Sequence, residues 1–305
     1  MQETLITPHH KLWSVDFKEI WRYRDLIELF VKRNIVVQYK QTILGPLWYL
    51  IQPILTVAMN MIVFGGIAKM STDGVPQALF YLAGNVCWFY FADCLNQTSS
   101  TFTTNQQMFG KVYFPRLVVP IATVISNLLR FVIQLALFVA IYLWFFANDE
   151  VNLNANLNLV DFIPNIDTAV VSVIVKVISV IVMVMVSVVA IVIMLAGLGL
   201  GFGILVSSMT TKYRDLTILF TFIVQLWMYG TPIVYPLSMV TDSTLRMAIL
   251  ANPLTAVIEA FKYITLGVGY FSWGALAYSF GFMVVLLILG VVVFNKVQRS
   301  FMDTV

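Results

Sequence analysis

Few side chains in this sequence could do chemistry inside an apolar environment, and their types exclude several mechanisms. Asp93 is the only acid within an apolar run long enough to cross a membrane, and it lies near one end of that run. Arg130 is a cation within another such run. Transport coupled to an ion gradient usually places carboxylates along the ion path, because intramembrane charge is expensive and is kept where it works. One acid at the end of a span makes a poor relay. Cys87 and Cys94 are seven residues apart, on one face of a helix, and no further Cys or His completes a metal site around them, so they read as packing residues. His9 and His10 read as solvated tail residues. The chain contains no G-x-x-x-x-G-K-[ST] phosphate loop, no G-x-S-x-G elbow and no H-E-x-x-H helix. Work done by this protein must therefore draw its energy from an ion gradient or from an ATPase on another chain, and the scarcity of acids favours the ATPase.

The elements that position these residues must be membrane helices. Hydrophobic residues make up 60% of the 305, charged residues 11%, and the mean hydropathy is +0.89. A typical soluble domain is about half apolar and about a quarter charged. A bilayer accepts such an apolar surface and water does not. The formal net charge of +3 gives no reason to expect a nucleic-acid partner. The first twenty residues lack the short apolar core of a cleaved signal peptide.

Runs of about 20 apolar residues, the length needed to cross about 30 Å of hydrocarbon, predict six spans. They are Leu47 to Ala68, Ala78 to Leu95, Leu117 to Phe146, a stretch ending at Met209, Leu216 to Ile233, and Phe271 to Phe294. Of the 18 Lys and Arg, thirteen fall on one side of this arrangement: Lys11, Lys18, Arg22, Arg24, Lys32, Arg33, Lys40, Lys111, Arg116, Lys212, Arg214, Lys296 and Arg299. The other side holds Lys69, Lys176, Arg246 and Lys262. That asymmetry predicts both termini in the cytoplasm. It gives one permease domain over 1–305, with a cytoplasmic segment at 1–46, a membrane part at 47–295 and a tail at 296–305.

Three segments depart from plain spans. Tyr23 to Tyr39 mixes Leu26, Ile27, Leu29 and Phe30 with Arg24, Asp25, Glu28, Lys32 and Arg33, which predicts either a helix lying at the cytoplasmic interface or a soluble cap. Gly45 and Pro46 separate it from the first span. Ala169 to Met209 is about twice the length of one crossing, yet no turn signal interrupts it before Ala196. It predicts a single helix that crosses from about Val182 to Met209, preceded by an external Asn-rich loop at 148–167. Pro232, Pro236 and Pro253 punctuate the region up to Leu266, which predicts two short helices entering the outer leaflet and returning, or an ordinary external loop. The fold class expected is an all-α integral membrane protein with six spans, an N-terminal interface helix and an external re-entrant hairpin.

Five segments then carry a resemblance: YKQTILGPLWYLIQP at 39–53, FPRLVVP at 114–120, TTKYRDL at 210–216, MYGTPIVYP at 228–236 and NPLTAVIEAFK at 252–262. In this order and spacing they resemble the permease subunit of ABC exporters that move O-antigen, capsule or teichoic acid polymers. The resemblance covers nearly the whole chain except the Asn-rich loop and the lengthened fourth span. It implies a homodimer in the bacterial inner membrane that encloses a channel for a lipid-linked polysaccharide. Two copies of a separate ATPase subunit would carry ATP and Mg, leaving this chain without cofactor or catalytic residue. The resemblance places ATPase docking on Arg24, Asp25 and Glu28 of the interface helix, and on Thr104, Gln106, Phe109 and Lys111 in a short helix between spans two and three. It also matches the hairpin of Pro232, Pro236 and Pro253 to an external gate. Two rivals are a permease of similar architecture for drugs or lipids and a membrane-embedded glycosyltransferase, which the lack of intramembrane acids disfavours.

For the conduit, sugar rings offer apolar C–H faces that pack on aromatic planes. Phe80, Tyr81, Trp88, Phe89 and Tyr90 in the second span, with Trp227, Tyr229 and Tyr235 at the end of the fifth, either line such a passage or form interfacial belts. Arg130 either pairs with a neighbouring helix or meets the pyrophosphate of a lipid-linked polymer. Gly197, Gly199, Gly201 and Gly203 form two overlapping small-residue pairs that predict close helix packing.

Overall fold

The computed structural model describes residues 17–40, 42–109, 114–148, 169–211, 213 and 215–302. They are helical, with no strand among the described residues. In chain order the helices are α1 (Phe17–Arg22), α2 (Arg24–Tyr39), α3 (Trp48–Asn60), α4 (Gln77–Ser99), α5 (Thr101–Thr104) and α6 (Gln106–Phe109), followed by α7 (Val118–Ala147) and α8 (Ala169–Thr210). Then come α9 (Leu216–Tyr229), α10 (Ser243–Ala251), α11 (Pro253–Leu266) and α12 (Trp273–Met302).

Five helical stretches are long and apolar enough to cross a membrane: Gly45–Ile67, Gln77–Ser99, Val118–Ala147, Val182–Thr210 and Trp273–Gln298. They coincide with five of the six predicted spans. The expected fifth span, Leu216 to Ile233, is helical only over the 14 residues of α9, about 21 Å at 1.5 Å per residue. Gly230 closes that helix, and Pro232 has no N–H with which to continue it. The two short helices predicted after Pro232 are α10 and α11, a pair that turns by 92° at its junction, the shape of either a broken span or a re-entrant loop. Asp242 caps α10 by accepting from Thr244 N–H at 2.9 Å, and Asn252 caps α11 by accepting from Leu254 N–H at 3.1 Å. Pro253 occupies the first turn of α11, and Gly267, at φ +73°, ends it in the left-handed conformation.

Helix α3 continues past Asn60 into a π-helical turn over Met61–Ile67, and Pro53 interrupts its hydrogen-bond ladder near the middle of α3. Helix α8 is continuous from Ala169 to Thr210, as the missing turn signal predicted.

Helix α4 is the centre of the bundle, buried on nearly every side and packed against α3, α7, α8, α9 and α11. The glycines of α8 make its closest approach possible. A Cβ on Gly199 would stand 3.1 Å from the Phe91 carbonyl of α4, and one on Gly203 would stand 3.2 Å from the Leu95 carbonyl. Gly197 and Gly201 turn the other way, against Met283 and Leu286 of α12. The two small-residue pairs therefore bind α8 to a different neighbour on each side. A second, smaller core of Phe30, Phe102, Phe109, Phe114 and Phe294 joins α2, α5 and α6 to the ends of α7, α8 and α12.

Candidate transport site: hairpin, charged cluster and docking helices

At the hairpin, the chain folds around a buried cation. Lys262 is fully buried; its Nζ donates to the Pro232 carbonyl at 2.5 Å and lies 3.5 Å from Glu259 Oε1, one turn earlier on α11. The same ammonium sits 3.9 Å from the centre of the Phe80 ring of α4. Glu259 is 1% exposed, and its second oxygen accepts from the Tyr270 N–H at 2.9 Å. Two charges thus tie together the loop after α9, helix α11, the start of α4 and the approach to α12. Asn252 adds a bond from its amide to Thr231 Oγ1 at 2.9 Å. Pro232, Pro236 and Pro253, the residues matched to an external gate, are all buried in this assembly. The charge asymmetry counts Lys262 among the external cations and gives Glu259 no role, whereas the structure buries both. The only available signal was the three-residue spacing of opposite charges inside an otherwise apolar helix.

The second charged cluster lies toward the opposite end of α4. Arg130 Nη1 bonds Asp93 Oδ2 at 2.5 Å, and Nη2 bonds Gln52 Oε1 at 2.7 Å. Its guanidinium stands 5.2 Å from the Tyr49 ring and 6.0 Å from the Phe89 ring. Of the two alternatives left open for Arg130, the geometry shows pairing with a neighbouring helix. Asp93 is six residues from the end of α4, about 9 Å. Arg130 lies on α7 at the depth of Asp93, and one turn earlier on the same helix Ser126 Oγ accepts from Asn34 Nδ2 of α2 at 3.4 Å. Tyr49 also hydrogen-bonds Gln38 in the last turn of α2. A continuous set of contacts thus runs from α2 through Tyr49 to Arg130 and on to α3 and α4.

The aromatic candidates divide into two groups. Phe80, Tyr81, Trp88 and Tyr90 are enclosed in the chain's own core, where Trp88 packs 5.6 Å from Phe91 and Tyr90 packs 5.2 Å from Phe131. In this conformation these four rings fill space between helices and border no passage. Phe89, Trp227 and Tyr235 are half-buried, and Tyr229 is exposed. On α9, Thr217, Thr221, Gln225 and Tyr229 recur every four residues, which puts a polar stripe on a helix whose surface is otherwise apolar and open.

Of the docking candidates, Arg24, Asp25, Glu28 and Thr104 are exposed and Gln106 is half-buried. Lys111 lies outside the described residues, as do the Asn-rich loop beyond Asn148, Lys212 and Arg214. Phe109 corrects the expectation that it offers a docking contact. It is 3% exposed, 5.9 Å from Phe102 and 5.8 Å from Phe114, with the Arg116 guanidinium 5.3 Å from its ring. Helix α6, one turn long, turns its one aromatic inward to hold the short helix down, leaving the polar side chains outside. Glu28 pairs with Lys32 at 2.6 Å, which holds its carboxyl below the ordinary carboxylate range. Among the described residues no group of His, Cys, Asp or Glu could hold a metal ion.

Comparison with known proteins gives this architecture a family. The chain is 23% identical to the O-antigen export system permease protein RfbA of Myxococcus xanthus, over 81% of this chain and 82% of that protein. It is 25% and 24% identical to two proteins of the same name from Klebsiella pneumoniae, each over 92% of this chain and 94% of the relative. The profile of the ABC-2 type transporter family matches residues 25–266, from the second residue of α2 to the last of α11. That match takes in the interface helix, the charged cluster and the hairpin alike, and the chain belongs to the ABC-2 type transporter membrane family.

Proposed function

We propose that this chain is the membrane-spanning subunit of an ATP-driven exporter of a lipid-linked polysaccharide of the O-antigen type. The observation that carries this reading is similarity to O-antigen export permeases along nearly the full length of both chains. The subunit works as a homodimer in the bacterial inner membrane, with both termini in the cytoplasm. Two copies of a separate ATPase bind ATP and Mg and dock on the exposed charges of α2, with Arg24, Asp25 and Glu28, and on Thr104 and Gln106.

Closure of the ATPases moves α2, and the contacts from Gln38 through Tyr49 to Arg130 carry that movement to α3 and α4. The conduit forms between protomers along α3 and α9, the two membrane helices least covered by the rest of the chain. Gln52 of α3 and Thr221, Gln225 and Tyr229 of α9 offer hydrogen bonds to sugar hydroxyls, while Phe89 and Trp227 offer planes at the edge of the same surface. Such a wall wets a hydrated polymer and holds each sugar weakly. Tight binding would stall translocation. The hairpin of α10 and α11 closes the outer mouth.

The test is removal of this chain from a cell that keeps the ATPase and the polymer-building enzymes. Surface polysaccharide is expected to vanish while lipid-linked polymer accumulates inside, and the restored chain reverses both. Unchanged surface polymer in the absence of this chain contradicts the reading.

A further inference from the structure

The two halves of the hairpin are attached to the molecule very differently. Every residue of α11 from Pro253 to Lys262 is buried, whereas α10 exposes every residue from Ser243 to Ala248 and buries only Ile249. Helix α11 is held by the Lys262 bond to the Pro232 carbonyl, the Glu259 bond from Tyr270 N–H, and ring contacts such as Phe261 on Phe138 at 5.8 Å. Gly269, at φ +120°, packs so tightly on α11 that a Cβ there would stand 3.1 Å from Glu259 Oε2 and 3.2 Å from the Glu259 carbonyl. Withdrawing α11 would break both bonds of its charged side chains to the fixed backbone at Pro232 and Tyr270, at a cost far above that of an ordinary side-chain rearrangement.

Helix α10 has lighter fastenings. Arg246 stands 5.9 Å from the Tyr270 ring, Tyr278 donates to the Ala251 carbonyl at 2.9 Å, the Thr255 hydroxyl of α11 donates to the Ile249 carbonyl at 2.6 Å beside the bend, and the Asp242 cap lies within α10's own first turn. Between the halves, Asn252 is extended at φ −71° and ψ 118°, so the 92° bend rests on one non-helical residue.

From this contrast we infer that α11 is a fixed post and α10 the moving arm of the outer gate, with Asn252 as hinge. Glu259 and Lys262 are then positioning residues: they keep α11 in place while α10 swings. The inference rests on the proposed role of the hairpin as a gate, and it names the part that moves.

Two matched tethers test it, both anchored to the segment between α11 and α12. Arg246→Cys with Tyr270→Cys ties α10 down, and Tyr263→Cys with Phe271→Cys, whose native rings stack at 5.2 Å, ties α11 down. All four positions are at least partly exposed, whereas the native Cys87 and Cys94 are buried. Each variant is joined with a short reducible bis-thiol reagent in the full complex with its ATPase, and polysaccharide export is followed before joining, after joining and after reduction. Expected is loss of export with the α10 tether, recovery on reduction, and export at the unjoined rate with the α11 tether. Loss with the α11 tether, or undiminished export with the α10 tether, overturns the inference. Absence of polysaccharide export by the complex of unmodified chains instead overturns the functional reading on which it rests.

Discussion

Two ion pairs stand at opposite ends of α4, and they solve the problem of charge in a membrane protein differently. In the proposed orientation the outer pair is Lys262 and Glu259, and it is sealed, with side chains 0% and 1% exposed. The inner pair, Arg130 and Asp93, is closer at 2.5 Å but retains 14% and 22% exposure and shares its cation with Gln52 on a third helix. A sealed pair has little room for rearrangement, because each charge depends on its partner and on the fixed backbone groups around it. A pair open on one side can exchange partners as helices shift. The first arrangement suits an anchor and the second a joint, and the two lie where a gate and a coupling element belong in the proposed transporter.

The largest effect expected is at the outer pair. Lys262→Met leaves Glu259 buried without its cation and should destabilise the protein by roughly 3–5 kcal/mol, whereas Lys262→Met with Glu259→Gln should recover much of that loss. Thermal unfolding in detergent, followed by exposure of the buried Cys87 and Cys94 thiols, measures both. Equal loss in the single and double variants would break the description of this pair as a sealed anchor.

A smaller effect is expected at the inner pair. Arg130→Gln keeps hydrogen bonding to Gln52 but removes the charge from Asp93, and should cost about 1.5–3 kcal/mol, the range for losing a charged hydrogen bond. Its stronger signature should be functional: ATP hydrolysis persists while export falls, because the ATPase is on another chain and the joint to α3 and α4 is slackened. Export that stays proportional to hydrolysis would show that Arg130 is merely structural.

The smallest stability effect is expected on α2. Glu28 and Lys32 pair in the open, with side chains 65% and 73% exposed, where such pairs add little. Because the Glu28 carboxyl is held below its ordinary range, its small contribution is present above the unfolded carboxylate pKa and disappears as pH falls through the folded value. Glu28→Gln should leave the melting temperature and its pH dependence above neutrality unchanged, yet weaken co-purification of the ATPase. A stability loss comparable with that of Arg130→Gln would contradict the ranking.

The sequence disclosed the spans because a run of apolar residues is a local property, and four glycines two apart announced the α8 packing surface for the same reason. Arg130 was visible as an isolated cation in such a run. Its partner was not, since the pairing joins residues 37 apart on different helices. Lys262 and Glu259 escaped notice because α11 is only moderately apolar and, read alone, resembles an exposed loop helix; only tertiary packing against α4, α8 and α12 buries it. Trp88 and Tyr90 read as a conduit wall because aromatics serve equally as linings and as fillers, and a central helix uses them as fillers. Phe109 followed the same rule. Helix α9 ended early because Gly230 and Pro232 overrode an apolar pattern that continued to Ile233.

The central claim is that this chain provides the passage and another chain the energy. Its most direct test is translocation by purified components: this protein, its ATPase and a lipid-linked polymer in sealed vesicles with the ATPase sites facing outward. Added ATP is expected to drive polymer into the lumen, where an external glycosidase cannot reach it, and Thr221→Val with Gln225→Leu on α9 is expected to lower that protection while hydrolysis continues. Polymer that stays fully accessible to the glycosidase while the intact complex hydrolyses ATP would contradict it.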